Sequence, residues 1–110
     1  MVPASDLQQV AEWQGLSSNW SRPGDILVVR WGWIQAFGEL NETEKATIVQ
    51  GPFDSIGLLA NDASAEWLWD QKVAMVGGDN PAFESIPFNG QIGGGDGTTF
   101  HQLLISGRYT

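Results

Sequence analysis

The stretch Ala65–Leu104, AEWLWDQKVAMVGGDNPAFES…TTFHQLL, narrows the possible folds more than any other part of this chain. It opens with a helical pattern and passes into a short apolar run, Val73–Val76. Two glycines follow, then the acid Asp79 and a glycine-rich excursion over 87–97. It closes on a second helical pattern that carries the only histidine, His101. A strand entered from one helix and left toward another predicts an α/β arrangement. An earlier run, Asp25-Ile-Leu-Val-Val-Arg30, has the composition of a strand buried on both faces, and Val73–Val76 reads the same way.

The other segments fill in the order. Ser5, with Gln8 three residues on, predicts a capping box for a first helix that carries Leu7, Val10 and Ala11 on one face and stops at Gly15. GLSSNWSRPGD is turn-rich and predicts a loop. Trp31-Gly32-Trp33 leads into a short helix through Ile34, Ala36 and Phe37. Asn41–Gln50 is ambiguous, with Thr47-Ile48-Val49 a candidate strand, and Gly51-Pro52 ends whatever precedes it. Asp62 or Ser64 can cap a helix through Trp67, Leu68 and Lys72, and Thr98 or Thr99 can cap the last one. Two to four short strands make a poor independent sheet, and unpaired edges invite association, so a homo-oligomer is one expectation.

Composition removes several functions. With 5 basic and 13 acidic residues the net charge is −8, which argues against nucleic acid and against anionic membrane surfaces. Zero cysteines exclude thiolate metal sites and disulfides, in keeping with a cytoplasmic setting. No apolar run reaches the ~18–20 residues that span a bilayer. The segment MVPASDLQQVAEW lacks the pattern of a secretory signal, so the sequons at Asn19 and Asn41 read as chance.

Few side chains carry chemistry. Asp79 follows a strand end, where α/β folds bind ligands, although it can equally cap the turn begun by Asn80-Pro81. His101 can serve as metal ligand or general base, or can be a partly buried, hydrogen-bonded side chain. Glu84 reads as a solvated carboxylate rather than a partner of Asp79. GGGDG at 93–97 lacks the Lys and Ser/Thr of a phosphate loop and the ligand ladder of an EF-hand, and reads as a loop. Trp31, Trp33, Trp67 and Trp69 are core or interface residues, or a platform for a flat ligand. Trp67 and Trp69 cannot share a helix face.

The segments RPGDILVVRWGW and AEWLWDQKVAMVGGDNPAFES, followed by a histidine opening HQLLISGRYT, resemble the cyclase family of metal-dependent hydrolases, which includes kynurenine formamidases and isatin hydrolase. The tryptophan-rich helix followed by DNPAFE is similar to the fungal branch of that family. The resemblance implies the central part of a swivelling β/β/α fold, incomplete at both ends, with residues 1–110 forming a partial cyclase-like domain. It implies hydrolysis of an amide-type bond in a small aromatic substrate, of the N-formylkynurenine kind in tryptophan catabolism, with zinc or manganese. The family motif HxGTHxDxPxH is absent from the chain. His101 matches the later family histidine, as catalytic group or metal ligand. Asp79 and Trp33 are assigned to the substrate pocket. The expectation is therefore a truncated chain, inactive alone for want of most metal ligands, or else a non-catalytic partner that docks on a full-length relative.

Overall fold

The computed structural model describes residues 1–94 and 97–106. Gly95 and Asp96 of the glycine-rich segment, and the closing Gly107–Thr110, lie outside the described residues.

Helix α1, Ala4–Trp13, begins two residues earlier than the capping signal suggests, with Pro3 at the N-cap and Ser5 inside the helix. Gln8 is not part of a capping box. Its Oε1 accepts from the indoles of Trp20 at 3.3 Å and Trp67 at 3.5 Å, so a tertiary contact takes the side chain that a local cap would use. The helix does stop at Gly15, whose φ of +80° suits glycine. The Leu16 amide donates to Ala11 O and the Gly15 amide to Glu12 O, which is the Schellman arrangement.

Strands β1, Ile26–Val29, and β2, Met75–Gly78, pair in parallel, with Ile26 opposite Met75 and Val29 opposite Gly78. Between them run helices α2, Trp33–Gly38, α3, Glu42–Gln50, and α4, Asp62–Gln71. The chain is thus a mixed α/β structure, as its pattern predicts. Helix α5, Phe100–Ser106, completes it; Thr99 and Gln102 exchange hydrogen bonds across its first turn, so Thr99 is its cap.

Three expectations about strands change, and α4 is capped by Asn61 rather than by Asp62 or Ser64. Asn41–Gln50 holds a helix rather than a strand, because Asn41 and Glu44 form a reciprocal capping box. β2 lies two residues later than its apolar run and ends in the two glycines. Neither strand is buried on both faces. Strand alternation puts Ile26, Val28 and Met75 on one face, and they are 59%, 71% and 57% exposed. Leu27 and Val76, on the other face, pack against the core.

That core is small: Ala4, Leu58, Ala60, Ala65, Leu68, Ile92, Phe100 and Leu103. Trp67 packs against it, whereas Trp69 on the same helix is exposed. Outside the sheet, three extended segments lie side by side. Val2 and Leu58 bridge in parallel, Leu58 bridges Glu84, and Ser55 pairs antiparallel with Ile86. Gly90 and Ile92 also bridge Gly97 and Thr98, so the segment that reads as pure loop is partly paired.

Candidate functional site

The ladder between Leu58 and Glu84 fixes the most unusual side chain in the molecule. The amide of Leu58 donates to Phe83 O at 2.9 Å and that of Ser85 to Leu58 O at 3.0 Å. This pairing carries the Glu84 side chain inward, where it is 0% exposed. Glu84 is neither solvated nor paired with Asp79. Its Oε2 accepts from the Phe100 amide at 3.0 Å and its Oε1 from the His101 amide at 3.1 Å, so the carboxylate sits on the opening turn of α5. Unpaired amides at a helix start, together with the helix dipole, favour a negative group there. The third partner is His101 itself, whose Nδ1 lies 2.7 Å from Glu84 Oε1.

Among the described residues, the hydrogen-bond partner of the imidazole is Glu84. The His101 side chain is 52% exposed, and Phe88 meets it edge-on with centroids 6.2 Å apart. With Nδ1 turned to Glu84, Nε2 is the ring nitrogen left outside that bond.

Phe83, just before Glu84, has φ +59°, a strained conformation for a bulky residue. Asn80 holds it there. Its Oδ1 accepts from the Phe83 amide at 3.0 Å, and its Nδ2 donates to Phe83 O at 3.1 Å and to Ile56 O at 2.8 Å. Turn capping in GGDNPAFE therefore falls to Asn80, not to Asp79.

Asp79 has a different task. Its carboxylate accepts from the Trp31 amide at 2.5 Å and from the Gly32 amide at 3.0 Å. It joins the end of β2 to the turn after β1, and Gly32, with φ +81°, caps α2 there. Trp33 opens α2, half-buried, stacked on Phe37 at 4.9 Å and edge-on to Phe53 at 6.2 Å. Asp79 and Trp33 are thus organised around one turn. His101, with Glu84 and Phe88, forms a second group that, among the described residues, shares no side-chain hydrogen-bond or ring partner with them. Trp31 links the two regions, with its ring edge-on to Phe83 at 5.9 Å. An open cavity of about 510 Å³ beside Met1, Ser55, Ile56, Ile86 and Pro87 is lined by none of the three predicted site residues.

The fit to a metal follows from the donor set. Among the described residues no group of three or more His, Asp or Glu side chains is placed to hold an ion. His101 Nε2 is one donor, Glu84 is committed to Nδ1 and two amides, and the Asp79 oxygens are committed to backbone N–H groups. One imidazole does not hold zinc or manganese, which takes several ligands. The described residues on their own do not fit the metal.

What remains is an α/β chain that presents one imidazole braced by a buried carboxylate, with Phe88 beside it. Residues 1–85 match the family described as "Putative cyclase", and the chain belongs to that family. The matched span takes in Trp33, Asp79 and Glu84, and ends before His101. No curated protein and no solved structure matches the chain. No helix of the described residues is long and apolar enough to cross a membrane.

Glu84 is the functional residue that sequence reasoning missed. One signal was available: it ends the DNPAFE segment on which the family resemblance rests. Its burial has no local signature, because it arises from pairing with Leu58 and from the position of α5.

Proposed function

We propose that this chain supplies one wall of an amide-hydrolysing centre of the arylformamidase type, acting on a small aromatic amide such as N-formylkynurenine. We further propose that these 110 residues do not turn it over alone. The observation that carries the reading is the half-exposed imidazole of His101, braced at Nδ1 by a buried carboxylate. A neutral imidazole so held can take a proton from attacking water at Nε2 and return it to the leaving amine. Phe88, edge-on to the His101 ring, offers an aromatic neighbour beside that imidazole. Zinc or manganese, implied by the family resemblance, would draw its ligands from outside the described residues and leave the His101 Nε2 lone pair for the proton.

The test compares the chain alone with the chain co-expressed beside a family segment carrying HxGTHxDxPxH, each with zinc or manganese and N-formylkynurenine. Turnover is expected only in the combination, and His101→Ala should remove it. Turnover by the chain alone, lost in His101→Ala, would overturn the inactivity proposed here. Turnover in the combination that survives His101→Ala would remove the role given to the imidazole.

A second reading, a non-catalytic partner of a full-length relative, is favoured by surface area. The chain exposes 7375 Å². A compact monomer of 12.0 kDa exposes roughly 6,000 Å². A stable complex with such a relative that forms without added metal and survives His101→Ala would favour this reading.

A further inference from the structure

We infer that Glu84 is a positioning residue that sets the tautomer of His101, keeping the proton on Nδ1 and the lone pair on Nε2, outward. The inference deepens the reading of His101 as the working imidazole, but its physical content does not depend on turnover.

The argument starts from the number of donors. An ionised carboxylate accepts hydrogen bonds and donates none. Glu84 accepts two from the backbone amides of Phe100 and His101, and the third atom in reach is His101 Nδ1, at 2.7 Å. A ring nitrogen facing that carboxylate must itself carry hydrogen, or two lone pairs would be held together in a water-free setting. Nδ1–H is therefore the tautomer that the carboxylate selects in the neutral ring, with the lone pair on Nε2.

Three features hold the carboxylate to this role. The side chain is wholly buried, so water cannot replace the ring as its third partner. Its backbone is fixed by the bridge to Leu58. The His101 amide and the His101 ring bind the same oxygen, Oε1, so the start of α5 and the ring orientation are set by one atom. The same pattern of a carboxylate behind an imidazole orients histidines whose outer nitrogen works on a metal or a substrate. Asp79 serves no such purpose, since its oxygens hold the Trp31 and Gly32 amides.

With a single histidine in the chain, a long-range 1H–15N spectrum of the 15N-labelled protein, at a pH where the ring is neutral, shows one pair of ring nitrogens. The expected result is a proton-bearing Nδ1 and a proton-free Nε2. A wild-type spectrum with the proton mainly on Nε2 would overturn the inference, whatever any variant does. In Glu84→Ala no acceptor faces Nδ1, and the expected shift is to the Nε2–H form, with far-ultraviolet circular dichroism unchanged. A folded Glu84→Ala that keeps the wild-type ring signals would also overturn it, because a merely structural glutamate leaves the tautomer alone. Failure of the hydrolysis test with the expected spectrum would remove the proposed reaction and leave the positioning role intact.

Discussion

Gly57 has no room for a methyl group. A Cβ built there would lie 2.3 Å from the Glu84 carbonyl carbon and 2.5 Å from the Ser85 nitrogen, and both are backbone atoms of the ladder that buries Glu84. Overpacking of this kind costs about 1–3 kcal/mol, and a rigid backbone neighbour favours the upper end. Gly57→Ala is expected to lower the urea midpoint accordingly, and to disturb the His101 ring signals by shifting the strand that carries Glu84. An unchanged midpoint would mean that the two segments part easily. At this scale the sequence shows which residues are chemically able, not which are engaged. His101 stands out as the only imidazole. The burial of Glu84 is invisible because it depends on Leu58 and Phe100, both distant in the chain. Gln8 misleads for a similar reason: a capping pattern satisfied on paper gives way to two indoles.

Helix α3 shows the opposite failure, where a local signal was present and outweighed by another. Thr47-Ile48-Val49 favours a strand by its β-branched content. Asn41 and Glu44 satisfy the first-turn amides reciprocally, and the helix forms with no buried residue. Its stability therefore rests heavily on that cap. Asn41→Ala is expected to cost about 1 kcal/mol. Hydrogen exchange should show the loss mainly in the first-turn amides of Glu42–Lys45, with α4 unaffected; equal protection in the variant would show that packing, not capping, holds the helix. The displacement of β2 also has a physical cause. The Trp31 indole covers Gly78, where a Cβ would fall 2.6 Å from Nε1 and 2.8 Å from Val29 O. The pairing therefore runs through the glycines, which allow close approach, and leaves Val73 outside the strand.

The whole molecule is broad and thin, with extents of 44 × 36 × 20 Å and a radius of gyration of 15.1 Å. A compact chain of this length has a radius of about 13 Å. The excess follows from a core made largely of alanines and leucines beneath one face of a two-stranded sheet. Parallel strands are ordinarily covered on both faces. Here the face carrying Ile26, Val28 and Met75 is open, and exposed apolar patches promote association. Sedimentation is expected to show concentration-dependent self-association that Val28→Lys weakens severalfold. Identical sedimentation of the two proteins would show that this face takes no part. The α/β class was readable from the order of elements, whereas the open face was not, since an apolar run looks the same whether or not anything covers it.

The Asp79 bond to the Trp31 amide closes a span of 48 residues. Closing so long a loop carries an entropic cost that local helices do not meet, so such contacts belong late on the folding route. Interactions absent from the transition state govern unfolding rather than folding rates. Asp79→Ala, which leaves two amides without their acceptor, is expected to cost about 1–3 kcal/mol. In stopped-flow experiments nearly all of that loss should appear as faster unfolding, with refolding almost unchanged. The carboxylate at the end of β2 would then govern the lifetime of the folded chain more than the speed at which it forms.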